Sequence, residues 1–264
     1  MVKLPDILVN KEHHGITKRI YSELKKANER ERREYRNSVD EERTLRVSSI
    51  GDCPRKNWAK REVSQFYKEI GAPYRRQQPQ FKDTIGGRTV SIFRMGDKVE
   101  ELVNEHLLTA GYAPVRDQEE VRFDVDNDHD LVGHIDGVVS LAHEDCLLEI
   151  KSANDNQWNR CKEMGYENWN AKYAAQVHCY MAGTGLNQAL VVVYNKNTSE
   201  IYCEFIKYDE DVFYESMDNA RQIINVRRVP GKPNEARTKS CFYCKYCEVN
   251  EWCWGPNAEL EWMD

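Results

Sequence analysis

The chain has 264 residues, 40% of them hydrophobic and 31% charged, with a formal net charge of −6 at pH 7. This suits one large domain or a core with appendages, and it excludes a uniformly basic protein that coats DNA, although basic residues can still be concentrated locally. No apolar run approaches the ~20 residues that span a bilayer, the opening MVKLPDILVNKEHH holds no apolar secretory core, and nine cysteines in a chain read as cytoplasmic favour metal or cluster binding over disulfides.

In chain order, residues 15–38 are charged and helix-forming, with Ile16, Ile20 and Leu24 on one stripe. Lys25, Lys26, Arg30, Arg32, Arg33 and Arg36 there either touch nucleic acid or form a solvated face of Glu–Arg pairs. Residues 47–68 predict a helix capped from the Ser48–Asp52 region, with Pro54 in its first turn and Cys53 just before it. Residues 71–85, rich in Gly, Pro, Gln and Arg, read as a loop. Residues 88–110 predict a helix with Ile92, Met95, Val99, Val103 and Leu107 as its apolar stripe and Gly111 as its stop. Glu100 lies on it, placed either to join a metal site or to be an ordinary surface glutamate. A strand over 112–123 and a solvated acidic turn at Asp124–Asp130 follow.

The segment Gly133–Lys151, GHIDGVVSLAHEDCLLEIK, predicts two strands joined by a short turn. Glu149 and Lys151 are two apart, so they share one face with Ile150 opposite. Pairing of the strands brings Asp136, read as part of the first, to the same end. Two carboxylates supply hard oxygen ligands for Mg²⁺ or Mn²⁺, and an ammonium beside them stabilises charge building on a phosphate. The pattern is that of a metal-dependent phosphodiesterase site.

Residues 152–168 read as a polar, mobile segment over the substrate. A helix follows over 169–184, on which Gln176 and Tyr180 are four apart and share a face. Strands are expected around 188–195 and 200–207, and an amphipathic helix over 209–228 ends in Arg227 and Arg228. The order fits an α/β core with a small central sheet. The tail CFYCKYCEVNEWCWG holds Cys241, Cys244, Cys247 and Cys253, thiols that suit zinc or an iron–sulfur cluster. Either the tail alone makes a Cys₄ zinc site with Cys241, or Cys53 supplies the fourth ligand and staples the two ends of the chain around the core. Cys146, Cys161, Cys179 and Cys203 read as buried thiols.

GDKVE at Gly96–Glu100, GHIDG at Gly133–Gly137, EIK at Glu149–Lys151 and QVHCY at Gln176–Tyr180, bracketed by Cys53 and by Cys244-x₂-Cys247-x₅-Cys253, together resemble the PD-(D/E)xK nuclease superfamily. The likeness is to its RecB-like iron–sulfur branch, the CRISPR-associated "Cas-four" exonucleases and their phage-borne relatives, and covers about Ser48–Gly255. Relatives often carry His where Glu100 stands, and Cys241 is extra. The resemblance implies a restriction-endonuclease-like α/β fold, a small central mixed sheet flanked by helices, plus a cysteine-ligated cluster region. It implies a single nuclease domain over 1–264, with an N-terminal helical region (15–85), a core (86–228) and a cysteine region (229–264). It further implies that Glu100, Asp136, Glu149 and the Ile150 carbonyl hold Mg²⁺ or Mn²⁺. Lys151 then positions water, and Gln176 and Tyr180 support the lysine and the DNA. Cys53, Cys244, Cys247 and Cys253 hold a 4Fe–4S cluster, with structural zinc as the alternative.

The implied activity is exonucleolytic cleavage of DNA, on single-stranded or free ends and 5′ to 3′, in recombination, repair or phage DNA metabolism. A CRISPR adaptation role would add integration proteins as partners. A rival reading is an inactive DNA-binding module held by a Cys₄ site, in which Arg55, Lys56, Arg227 and Arg228, with Arg32, Arg33, Lys60 and Arg61, grip phosphates. No membrane is expected as a partner.

Overall fold

The computed structural model describes residues 6–38, 43–63, 85–141, 144–225 and 229–255. They fall into two compact units, one of Met1–Asp40 with Asp83–Lys98 and one of Glu41–Lys82 with Val99–Asp264. In the first unit, helix α1 runs from Asp6 to Ser38, starting earlier than the charge pattern predicts. Several of its charges answer one another: Lys26 pairs with Glu23 at 2.8 Å and Lys25 with Glu29 at 3.9 Å. Glu31 pairs with Arg94 at 3.0 Å.

The second unit holds β1 (Thr44–Arg46), α2 (Val47–Ile50) and α3 (Pro54–Trp58), which continues as a π turn over Ala59–Val63. Cys53 occupies the N-cap position of α3 with no side-chain cap, and Pro54 is its first residue, where a missing N–H costs nothing. Helix α4 (Gly87–Thr109) enters this unit at Val99. Then come β2 (Glu120–Asp124), β3 (Asp130–His134), β4 (Gly137–Leu141), β5 (Glu144–Ala153), α5 (Asp155–Met164), α6 (Tyr166–Trp169), α7 (Ala171–Thr184), β6 (Gln188–Asn195), β7 (Ile201–Lys207), α8 (Glu210–Ile224), α9 (Phe242–Lys245) and α10 (Asn250–Cys253). Part of the helix expected over 47–68, residues 71–84 of the expected loop, and Arg227 and Arg228 lie outside the described residues.

Among the described residues there are two small mixed sheets rather than one, ordered β1-β3-β2 and β4-β5-β6-β7. The reading of one strand through Asp136 is corrected here. Ile135 and Asp136 interrupt it, so β3 pairs with β1 and β2, while β4 pairs with β5. The switch turns on Gly137, whose φ of +152° is a backbone state that side chains rarely tolerate. The expected strand over 112–123 shortens to β2, β3 takes up the start of the expected first hairpin strand and begins earlier, at Asp130, and β1 was not anticipated.

β5 is the inner strand that fixes the site. It pairs antiparallel with β4 and parallel with β6, Glu149 lying beside Val191 and Lys151 beside Val193. Cys146 to Ile150 are all buried, as expected where both faces of a strand are covered. One face packs Leu147, Val191 and Val193 with Val177 and Met181 of α7. The other packs Leu148, Ile150 and Val192 against Val99 and Val103 of α4. The segment expected to be mobile over the substrate is instead α5 and α6. Trp158 is buried and its indole N–H donates to the Val193 carbonyl at 3.0 Å. Cys203 also departs from expectation, being exposed on β7.

Gly133 on β3 has no room for a side chain: a Cβ there would lie 2.6 Å from the Tyr180 ring and 2.8 Å from Val47 Cβ. Gly133→Ala is expected to lower stability by about 1–3 kcal/mol through overpacking, read as a fall in denaturant midpoint. An unchanged midpoint would mean that β3 and α7 are further apart than described.

Candidate active site

Asp136 sits between β3 and β4, immediately before Gly137, which pairs with Leu148. Because β4 begins only at Gly137, the Ile150 N–H beyond its start has no strand partner on that side. The Asp136 carboxylate accepts from it at 2.7 Å, satisfying a backbone donor that would otherwise be orphaned. The carboxylate is thus held beside Glu149 by the edge of the sheet itself.

Glu149 is wholly buried, and Lys151 forms an ion pair with it. The same-face reading of the two residues agrees with this arrangement. Beyond that ion pair no hydrogen-bond donor satisfies either Glu149 oxygen among the described residues. Burial pushes the Glu149 carboxyl up to about 7; Lys151 opposes the shift, while Asp136 and Glu100 add to it. Asp136 is likewise raised, chiefly by burial, against the pull of Lys151 and the Ile150 N–H. Lys151 is raised in spite of burial, because Glu149 and Asp136 face it. Its ammonium also lies 5.3 Å from the centre of the Tyr173 ring.

Glu100, on α4, accepts from the Gln118 amide at 3.2 Å and lies near enough to Glu149 to repel its charge. Three carboxylates and one ammonium therefore share a neighbourhood. Among the described residues no three acidic, histidine or cysteine side chains already surround a common point as ligands. The donor chemistry nevertheless fits a hard divalent cation: beyond the Lys151 ammonium the Glu149 oxygens have no hydrogen-bond donor among the described residues, and buried like charges are relieved by a cation between them. The Ile150 carbonyl belongs to the same stretch of β5.

Gln176 and Tyr180 both lie in the buried part of α7, and the Gln176 amide donates to the Tyr180 hydroxyl at 3.1 Å. Burial raises the Tyr180 pKa, and the charges of Glu149, Lys151 and Asp136 all reach it. The pair is part of the wall behind the carboxylates. Asn170 caps this helix by accepting from the Lys172 N–H at 3.1 Å.

A second assembly joins the Cys53 segment to the tail. Cys53, Cys244, Cys247 and Cys253 line one cavity of about 190 Å³. Cys241 is absent from its lining, and its thiol lies 3.5 Å from the Glu235 carbonyl. Burial pushes the Cys53, Cys244 and Cys247 thiols up, and the Cys253 thiol adds to the shift in all three. Lys56 acts in the other sense on Cys247. Trp58 and Trp252 stack at 6.1 Å beside the pocket, in a cluster with Val63 and Val249.

The DNA contact expected of Arg55 is corrected. This residue is buried, donates to the Pro230 carbonyl at 2.8 Å and packs 5.5 Å from the Trp252 ring. It tethers α3 to the tail. Lys56 pairs with Asp52 at 2.6 Å and lies 3.8 Å from Glu248.

Comparison with known proteins adds to this geometry. Residues 67–187 match the family described as the YqaJ-like viral recombinase domain. The match spans Glu100, Asp136, Glu149, Lys151, Gln176 and Tyr180 and none of the four pocket cysteines, and its description refers to viral recombination, not to CRISPR adaptation. Among solved structures, SSO0001 is similar over 94% of this chain and 98% of its own, at 16% identity and a TM-score of 0.52. That likeness is one of fold. An alkaline exonuclease from Laribacter hongkongensis is similar over 68% of this chain and 87% of its own, at 15% identity and a TM-score of 0.41. A phage-related exonuclease from Haemophilus somnus 129PT is similar over 69% of this chain and 93% of its own, at 15% identity and a TM-score of 0.42. No curated protein sequence matches the chain significantly. Among the described residues no helix is long and apolar enough to cross a membrane.

Because Glu149 titrates at about 7 against an ordinary value of 4.5, the metal-free folded state holds this proton more tightly than the unfolded one. Its contribution to stability is full below pH 4.5 and is lost as pH rises through 7. In metal-free buffer the melting temperature of the wild type relative to Glu149→Gln is expected to fall across that interval. A difference that does not change with pH would place the carboxylate in water.

Proposed function

We propose that the chain is a metal-dependent DNA exonuclease that hydrolyses phosphodiester bonds in recombination or phage DNA metabolism. The observation that carries this reading is the buried Glu149 carboxylate. It has Asp136 beside it, Lys151 paired to it, and among the described residues no hydrogen-bond donor for its oxygens beyond that ammonium. A structural role alone does not account for that arrangement, since buried charge without full hydrogen bonding is costly. The match of residues 67–187 to the YqaJ-like viral recombinase domain supports the same reading.

Glu100, Asp136, Glu149 and the Ile150 carbonyl would hold Mg²⁺ or Mn²⁺. Bound there, the cation lowers the pKa of water and neutralises phosphate charge. Lys151 stays protonated at neutral pH, because its carboxylate neighbours raise it. It therefore serves as a fixed positive charge for the phosphate oxygens in the transition state, not as a base. The Tyr173 ring faces the ammonium of that lysine from the helix side, and Gln176 donates to Tyr180 in the wall behind it. The preferred substrate in this reading is single-stranded DNA with a free end, degraded 5′ to 3′.

The same proposal assigns a 4Fe–4S cluster to Cys53, Cys244, Cys247 and Cys253, with a structural role. The shared cavity supports it, as does the position of Cys241 outside the lining. The positive charge of Lys56 near Cys247 would offset part of the negative charge of four thiolates. A zinc ion on the same ligands is the alternative occupant.

End-labelled single-stranded DNA tests the activity. Shortening is expected with Mg²⁺ or Mn²⁺ and none with EDTA. Glu149→Ala and Lys151→Ala should each lose at least about 10²-fold in rate, the scale of a lost electrostatic stabiliser. DNA retention without any cleavage would turn the reading to a binding module.

The pocket is tested by colour and metal content. Cys53→Ser should bleach a brown preparation and lower its melting temperature. A colourless protein with one zinc, indifferent to Cys53→Ser, would overturn the cluster assignment in favour of the tail-only site.

A further inference from the structure

Helix α7 carries a lysine that the nuclease chemistry has not used. Lys172 precedes Gln176 by four residues and Tyr180 by eight, so the three lie along one stripe of the helix. Its neighbour Tyr173 packs on the Lys151 ammonium at 5.3 Å, which places the first turn of α7 beside the active-site lysine. On its other side the Gly51–Asp52 loop presses on the same turn: a Cβ at Gly51 would lie 2.6 Å from Lys172 Cα and 2.9 Å from the Ala171 carbonyl.

Lys172 is only half-buried, and the charges that act on it are Asp52, Lys56, Lys151 and Lys60. The carboxylates nearby are already engaged. Asp52 pairs with Lys56 at 2.6 Å, and Glu248 pairs with Lys60 at 3.0 Å. Among the described residues Lys172 forms no ion pair of its own, and Asp52 reaches it through space without a hydrogen bond. Burial lowers the Lys172 pKa, Asp52 opposes the shift, and the charges of Lys56, Lys151 and Lys60 add to it. The positive end of the helix adds to the local potential. With Asp136 and Glu149 committed to a cation, and Asp52 and Glu248 paired to Lys56 and Lys60, Lys172 is left half-exposed without a carboxylate of its own. Such a site fits an anion that bridges several ammonium groups, and the backbone of a nucleic acid supplies one at every nucleotide.

We propose that Lys172 is a positioning residue that grips a backbone phosphate flanking the scissile one, so that the DNA strand crosses the N-terminal turn of α7 on its way to the carboxylates. This rests on the nuclease reading for the identity of the strand. The contact is electrostatic and independent of sequence, so it acts on binding and register, not on bond breaking.

Binding and cleavage are measured separately. Binding of the 264-residue chain to a fluorescent single-stranded oligonucleotide is followed across a salt series in EDTA, where no cleavage occurs. The wild type is compared with Lys172→Met, which keeps the apolar stem, and with Lys172→Arg, which keeps the charge. Melting curves verify that both variants fold. Expected for Lys172→Met is a several-fold rise in Kd at low salt and a slope of log K against log salt shallower by about 0.7, the loss of one phosphate contact to a single strand. Lys172→Arg should restore both. In the cleavage assay with Mg²⁺, Lys172→Met should raise KM with little change in kcat.

An unchanged Kd and salt slope in folded Lys172→Met overturns the proposal, even if the wild type cleaves DNA. The expected change in slope from a wild type that never cleaves would keep the phosphate contact and discard the nuclease reading. A wild type that does not bind the strand at all overturns the phosphate contact outright.

Discussion

A carboxylate taken wholly out of water must either be neutralised or be given a counter-charge, because the cost of leaving it bare exceeds the net stability of most domains. Glu149 is in that position, and much of the second unit is arranged in answer to it. Lys151, two residues along the same strand face, supplies the counter-charge. Asp136 sits close enough to push the Glu149 pKa further up, which is unhelpful for folding and useful for holding a divalent cation. The site thus trades stability for a standing preference for positive charge, as functional sites commonly do.

The position of Asp136 follows from a break between two sheets. Were β3 and β4 one strand, Asp136 would lie within a ladder. Because the chain turns at Gly137 from one sheet into the other, the aspartate lies where β5 has an unpaired N–H, and its carboxylate takes that donor. A gap in backbone pairing therefore orients a candidate ligand. Helix α7 closes the same region from the opposite side, its buried stripe meeting Gly133 so closely that no Cβ fits. The strand and the helix are locked together at the point where the charges converge.

The cysteine pocket joins parts of the chain that are far apart in sequence. Its lining runs from Asp52 and Cys53 to the residues around Cys244–Trp254. Arg55 reaches across to the Pro230 carbonyl, and Trp58 stacks on Trp252. A small aromatic cluster and one buried guanidinium hold these two segments against each other. Closing so long a loop carries an entropic cost that grows slowly with length, and a group bound by thiols from both ends would help offset it.

Several features were legible from residue order alone. The period-two relation of Glu149 and Lys151 follows from strand geometry, and the shared face of Gln176 and Tyr180 follows from helix geometry; neither needs distant neighbours. Helices with long apolar stripes, such as α4 and α7, were visible for the same reason. Other features depended on contacts between remote segments. β1 is three residues long and pairs in parallel with β3, a partner far along the chain that no local pattern reveals. The 152–168 segment is polar on average, yet Trp158 finds a carbonyl on β6 and turns the segment into packed helix. Arg55 reads as a surface cation until the tail folds over it. Sequence alone determined the chemistry of the candidate site, because residue type and spacing set which groups can share a face. Only the tertiary structure decided the burial of Glu149, the placing of Asp136 outside its strand and the choice of Cys53 over Cys241 in the pocket lining, because each depends on how distant segments pack and exclude water.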